Sequence, residues 1–252
     1  MTSVCLITGG ARGIGAATAR LVAKDGVAVA IGYRDRADAA LALAAEIEAA
    51  GGRAAPVRGD VAQEADVIAL FDAAEKAFGP VDGLVNSAGI SMRAWVRDLE
   101  RGGLERLMAV NVIGLVLCCR EAVRRMPASG GAIVNVSSMA ATIGGRAGAS
   151  AYAASKAAVD AFTTGLAREV AKSGIRVNAV RPGMTRTDMT RGQLGDPEIE
   201  ARLASTIPMH RVGEAGEIAE AIRWLLSPAA SFISGAHLDA SGGGFVIGER
   251  QD

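Results

Sequence analysis

Tyr152 and Lys156 stand four residues apart in a stretch, Ala151–Lys172, whose apolar residues recur at helical spacing. That interval sets phenol and amine on one helix face. With two Tyr and four Lys in the chain, the spacing is a roughly three per cent coincidence by chance. A free phenol, with a pKa of ~10, exchanges protons poorly near neutrality; a nearby ammonium favours the phenolate and lowers that pKa. The pair therefore suits general acid–base work on an alcohol or carbonyl oxygen. Ser138 closes the run Ala132-Ile133-Val134-Asn135-Val136-Ser137-Ser138. Its hydroxyl falls at the carboxyl end of a strand, the edge at which open parallel sheets bind ligands. There it is placed to donate to a substrate oxygen and steady the charge developing on it. Ser137 is the competing candidate.

A second constellation lies near the start of the chain. Thr8-Gly9-Gly10-Ala11-Arg12-Gly13-Ile14-Gly15 follows a strand-like run and opens a helix-like one. Glycines in such a turn let backbone amides approach a pyrophosphate, while the helix N-terminus adds unpaired N–H groups and partial positive charge. The spacing is Gly-x-x-x-Gly-x-Gly rather than the commoner Gly-x-Gly-x-x-Gly. The next strand ends Ile31-Gly32-Tyr33-Arg34, with no carboxylate at its tip. An acidic residue there commonly selects NAD, whereas Arg favours the 2′-phosphate of NADP. Arg34 is thus the candidate phosphate contact and Arg12 a second cation, so NADP(H) is expected over NAD(H). The competing reading pairs Asp35 with Arg34 or Arg36.

The elements that must carry these residues alternate. Strand-like runs are Val4–Thr8, Val27–Ile31, Ala54–Arg58, Gly83–Asn86, Ala132–Ser137, Arg176–Arg181 and Ala236–Asp239. Helix-like stretches are Gly13–Lys24, Ala37–Ala49, Glu64–Phe78, Leu104–Met126, Ala151–Lys172 and Gly216–Leu226. Strict alternation predicts right-handed crossovers and a parallel sheet covered on both faces, and the strand runs lack the polar alternation of half-exposed strands. No linker or repeat interrupts the pattern, so one domain over residues 1–252 is expected. From Gly183 to Arg211 no strand is evident; an insertion of this length after a late strand reads as a cover over a site.

Composition narrows the classes. The chain has 252 residues with 27 basic and 27 acidic side chains, a formal charge of zero, which gives no electrostatic case for nucleic acid or an anionic membrane. No run reaches the ~18 consecutive apolar residues of a membrane span, and no basic-then-apolar leader precedes Val4, so a cytoplasmic protein is expected. Cys5, Cys118 and Cys119 read as reduced core thiols. His210 and His237 lack ligand-like spacing, and no metal is expected.

Taken in order, Thr8 to Gly15, Asp60-Val61, Asn86-Ser87-Ala88-Gly89, Asn111, Ser138, Tyr152 with Lys156, and Pro182-Gly183 resemble the motifs of the short-chain dehydrogenase/reductase family over essentially the whole chain. The resemblance implies an α/β, Rossmann-type doubly wound parallel sheet of about seven strands with helices on both faces. It implies an NADP(H)-dependent oxidoreductase that moves hydride between nicotinamide and a small carbonyl or alcohol, with Tyr152 as acid and base, Ser138 beside it, Lys156 on the nicotinamide ribose, and Asn111 holding a proton-relay water. Gly9, Ala11, Arg12, Gly13, Ile14 and Gly15 would face the pyrophosphate, and Tyr33 and Arg34 the adenosine ribose. Asp60 and Val61 would meet the adenine. Asn86, Ala88 and Gly89 would line the ribose, although Asn86 reads equally as a brace within the sheet. Pro182 and Gly183, with Thr185 or Thr187, would hold the carboxamide. A 3-oxoacyl thioester, a sugar or polyol, and a generic ketone all remain candidate substrates, with Ile90, Met92, Trp95, Met139, Arg146, Met184 and Met189 as lining residues and Arg93 or Arg146 as a carboxylate grip. A catalytically silent dinucleotide-binding regulator is the rival outside the enzyme class. The long helices resemble those of the family's interfaces, which implies a homotetramer or homodimer.

Overall fold

Short runs rich in Val, Ile and Ala bury both faces when they become strands, and in the middle of the sheet here they do. A computed structural model describes residues 2–244. Its strands are β1 (Val4–Thr8), β2 (Ala28–Tyr33), β3 (Arg53–Arg58), β4 (Gly83–Asn86), β5 (Gly131–Val136), β6 (Ile175–Pro182), β7 (Thr185–Arg186), β8 (Gly213–Glu214) and β9 (His237–Ala240). Seven form one sheet in the order β3-β2-β1-β4-β5-β6-β9, and every neighbouring pair is parallel.

The sheet is wound on both sides. Helices α1 (Gly13–Lys24) and α2 (Ala37–Ala49) cover one face, and α3 (Glu64–Phe78) covers the other. Alternate residues of each strand serve the two cores: Leu6, Leu84, Ile133 and Val177 join one, and Cys5, Ile7, Val85 and Val134 the other. The order reverses between β1 and β4, so the loops that follow these strands diverge and open a crevice at their carboxyl ends.

The expected helix Leu104–Met126 proves to be composite. Arg101–Met108 (α4) and Leu115–Arg125 (α5) are joined by a π-helical turn, Ala109–Gly114, and such turns often mark functional positions. A Cβ on Gly114 would lie 2.6 Å from the Val61 carbonyl, so glycine lets this turn press against the loop after β3. Among the described residues, Arg101–Arg125 is also long and apolar enough by composition to cross a membrane, unlike the reading from consecutive apolar residues. Its charges cluster at the ends, and Leu107, Cys118, Cys119 and Ala122 are fully buried in the core.

After β5 come α6 (Ala140–Ile143) and the long α7 (Ser150–Val170). The segment that follows β6 corrects a second expectation. It contains β7, paired in parallel with β8, and two short helices, α8 (Arg191–Leu194) and α9 (Pro197–Ala204). Two-residue strands and helices of one or two turns leave too short a pattern for periodicity to register. Asp196 caps α9 through the amides of Glu198 and Ile199, with Pro197 at its first position. The last helix, α10 (Ala215–Leu226), opens with a capping box between Glu214 and Glu217.

Candidate active site

The crevice is a cleft of about 460 Å³ that runs from the glycine turn to the first turn of α7. At its cofactor end the residues fit a dinucleotide. Gly9 has φ +63°, and a Cβ there would lie 2.8 Å from the Ala88 backbone, so only glycine lets the turn after β1 meet the loop after β4. No side chain caps the N-terminus of α1 at Arg12, which leaves its first amides facing the cleft for an anion. Thr8 braces the same junction, its hydroxyl accepting from the Ala88 amide at 3.3 Å. Ala11, Arg12, Gly13, Ile14, Tyr33, Arg34, Asp60, Val61, Ala88 and Gly89 all line the cleft.

Three expected positions do not. Gly15 sits inside α1, where a Cβ would collide with the Gly9 carbonyl. Asn86 is buried and donates to Asn135 Oδ1 (2.9 Å) and Cys119 Sγ (3.2 Å), while Asn135 donates on to Thr163 Oγ1 (2.9 Å). This chain ties β4 to β5 and α7, so of the two readings of Asn86 the brace is the one the geometry displays. Asn111, the third, lies beneath the cleft wall in the π-helical turn.

The cations at the adenosine end are engaged. Arg34 donates to Asp35 Oδ2 at 2.6 Å and lies 3.9 Å from Asp60, as in the competing reading, and Arg34 holds the Asp35 carboxyl below its usual range. Both side chains are exposed, and such a pair is weak in high dielectric, so a phosphate can displace it cheaply. Asp60 accepts from Ala62 N–H at 3.0 Å and from Arg106 at 2.9 Å. Arg106, 46 positions away, gave no sign in the sequence of its place at this end of the cleft.

At the other end, Tyr152 and Lys156 share the wall formed by α7, with the amine 5.9 Å from the centre of the phenol ring. Burial pushes the Tyr152 phenol up, and a hydrogen bond with Ser138 pulls it down. Neither influence on the phenol comes from Lys156. Lys156 instead donates to the Val136 carbonyl (2.8 Å), and burial pushes its own pKa down to about 8, against the pull of Asp160. Ser138 faces the phenol and accepts from Ala140 N–H at 3.1 Å. Ser137 donates to the Lys156 carbonyl at 3.2 Å, so its hydroxyl is spent on α7.

Asn111 uses its amide fully. It accepts from Ile90 N–H (2.9 Å), donates to the Ile90 carbonyl (2.9 Å) and donates to Ser155 Oγ (3.1 Å), which clamps the loop after β4 to α7. The bulge that turns Asn111 inward and the linking Ser155 both went unread in the sequence.

A family model described as enoyl-(acyl carrier protein) reductase matches residues 9–244. An uncharacterized oxidoreductase of Escherichia coli, YgfF, is 46% identical over 96% of this chain and 99% of its own. The cis-4-hydroxycyclohexanecarboxylate dehydrogenase of Sinomonas cyclohexanicum is 45% identical over 95% of each. A short-chain dehydrogenase of Burkholderia cenocepacia, solved in complex with NADP, superposes with a TM-score of 0.89 at 38% identity, covering 96% of this chain and 97% of that one. The chain belongs to the short-chain dehydrogenase/reductase family.

In this dehydrogenase/reductase the segment after β6 roofs the cleft. Pro182, Gly183, Met184, Thr185, Thr187 and Met189 line it. The Thr185 hydroxyl donates to the Gly183 carbonyl at 3.1 Å, whereas a Cβ on Gly13 would lie 3.3 Å from Thr187 Cβ, so Thr187 rests on the glycine turn. Thr190 ties the segment together, donating to the Thr185 carbonyl at 2.7 Å, and Asp188 reaches within 3.8 Å of Arg12. Ile90, Met92, Arg93, Met139 and Arg146 complete the substrate end. Trp95 does not line the cleft and is 59% exposed, a correction to its expected place. The three cysteines are free and buried, and burial pushes the Cys118 thiol up to about 12.

Proposed function

We propose that this dehydrogenase/reductase transfers hydride between NADP(H) and a small carbonyl or alcohol, with Tyr152 moving the accompanying proton. The observation that carries this reading is the partly buried Tyr152 phenol beside Ser138 and Lys156, on the wall of a cleft that continues to an uncapped helix N-terminus at a glycine turn. The nicotinamide, when bound, supplies or accepts the hydride. In reduction, Tyr152 donates its proton to the substrate oxygen, and Ser138 donates a second hydrogen bond that steadies the charge on that oxygen. A phenol held up by burial stays protonated at neutral pH, which suits the donor role. Lys156 sits near enough to stabilise the phenolate left behind and to hold the nicotinamide ribose, and the clamped Ile90 loop keeps its side of the cleft in register. Asn111 acts through that clamp and through its proximity to Lys156.

Arg34 and Arg12 support NADP over NAD, as does the Burkholderia neighbour's complex with NADP. The whole chain, 1–252, reads as one catalytic unit. Half-exposed Met108 and Ile113 on the α4–α5 stretch favour association through this face into a homotetramer or homodimer. The Sinomonas relative's named substrate places ring alcohols among the first to try. A panel of cyclic and linear ketones, 3-oxoacyl and enoyl thioesters and polyols, each followed by nicotinamide absorbance with NADPH and NADH, tests the reading. Ketone reduction with NADPH at several times the kcat/KM of NADH is expected. An absence of turnover on every ketone and alcohol would overturn it, and turnover of enoyl thioesters alone would favour the reaction named in the family model.

A further inference from the structure

Beside the substrate end of the cleft lies a second cavity, of about 370 Å³, lined by Arg93, Arg146 and Arg202 together with Ile199, Leu203 and Thr206. The three arginines come from three separate parts of the chain. Arg93 lies on the loop after β4, Arg146 on the loop before α7, and Arg202 on α9 of the roof. The first two loops are joined by a hydrogen bond from Ala94 N–H to the Gly148 carbonyl (2.8 Å). Arg146 reaches the roof by donating to Thr206 Oγ1 (3.2 Å). Arg93 and Arg146 also line the main cleft, so the cavity adjoins the space in front of Tyr152.

Converging cations repel one another unless an anion joins them. Burial, and then the charges of Arg93 and Arg202, push the Arg146 pKa down. Several roof carboxylates are engaged elsewhere: Arg186 takes Glu200 and Glu214, Arg191 takes Asp188, Arg211 takes Glu217, and Asp196 caps α9. Among the described residues, Arg93 and Arg202 form no ion pair. Guanidinium groups grip carboxylates and phosphates through paired, charge-assisted hydrogen bonds, and Ile199 and Leu203 supply apolar wall between them.

We propose that this cavity is an oxyanion subsite, which selects carbonyl and alcohol substrates bearing a carboxylate or phosphate remote from the reacting carbon on an apolar frame. The proposal rests on the oxidoreductase reading for the word substrate, but its test needs no turnover. Calorimetric titration of the protein with cyclohexanecarboxylate, cyclohexyl phosphate and the neutral cyclohexanecarboxamide separates the two oxyanions from an isostere without charge. At least one oxyanion should bind about tenfold tighter than the amide or better. Both Arg202→Gln and Arg146→Gln should remove that preference, while Arg168→Gln, an equal charge change on the exposed side of α7, should keep it. Equal binding of all three ligands, or a preference that survives both cavity substitutions, would overturn the subsite. Binding as expected without turnover on the ketone panel would instead count against the oxidoreductase reading alone.

Discussion

Replacing Lys156 with methionine should stabilise the free protein while abolishing its turnover. The amine is buried, and its pKa falls from 10.5 to about 8, which corresponds to roughly 3 kcal/mol opposing the charged form in the fold at neutral pH. An apolar side chain of similar length removes that cost. Against the gain stands the hydrogen bond to the Val136 carbonyl, whose loss costs roughly 1–2 kcal/mol. The balance, about 1–2 kcal/mol in favour of the variant, raises Tm by roughly 2–8 °C for a chain of this size. Between pH about 8 and 10.5 the unfolded chain holds more protons at this position than the folded one, so native stability rises with pH across that window. Below it both states are protonated and the penalty is constant. Scanning calorimetry of both proteins without ligand, from pH 7 to 10, should therefore show the variant melting higher at pH 7 and the gap closing as pH rises. A variant that melts lower at pH 7, or a gap indifferent to pH, would refute the argument that charge burial at Lys156 is held against the fold. Its kcat/KM should fall about a hundredfold or more, since the phenolate loses its nearby cation.

Tyr152→Phe should lose roughly a thousandfold or more in turnover yet bind NADPH with native affinity in a fluorescence titration; near-native turnover would remove the phenol from the reaction. Ketone reduction should decline as pH rises through about 8, where Lys156 gives up its charge, whereas Tyr152 stays protonated because burial raises it. A rate level up to pH 10 would show that this amine's charge is not needed. Asn111→Leu strands the Ile90 amide and carbonyl and should cost about 2–4 kcal/mol in urea unfolding. An unchanged midpoint would mean that the clamp contributes nothing to the fold.

What the sequence settled by itself was local. A four-residue interval on a helix places Tyr152 and Lys156 on one face wherever that helix lies, a glycine turn between strand and helix exposes amides whatever surrounds it, and unalternated β-branched runs dictate a sheet buried on both sides. These signals depend on backbone periodicity and sterics alone. The bond of Ser137 to the Lys156 carbonyl, the bracing bonds of Asn86, the pairing of Arg106 with Asp60, the inward turn of Asn111 and the convergence of Arg93, Arg146 and Arg202 were decided by tertiary structure. Each joins residues far apart in the chain, so it exists only once the sheet order has brought their elements together. The same holds for the charge state of Lys156, because desolvation depends on what covers a group, and that is a property of packing rather than of spacing.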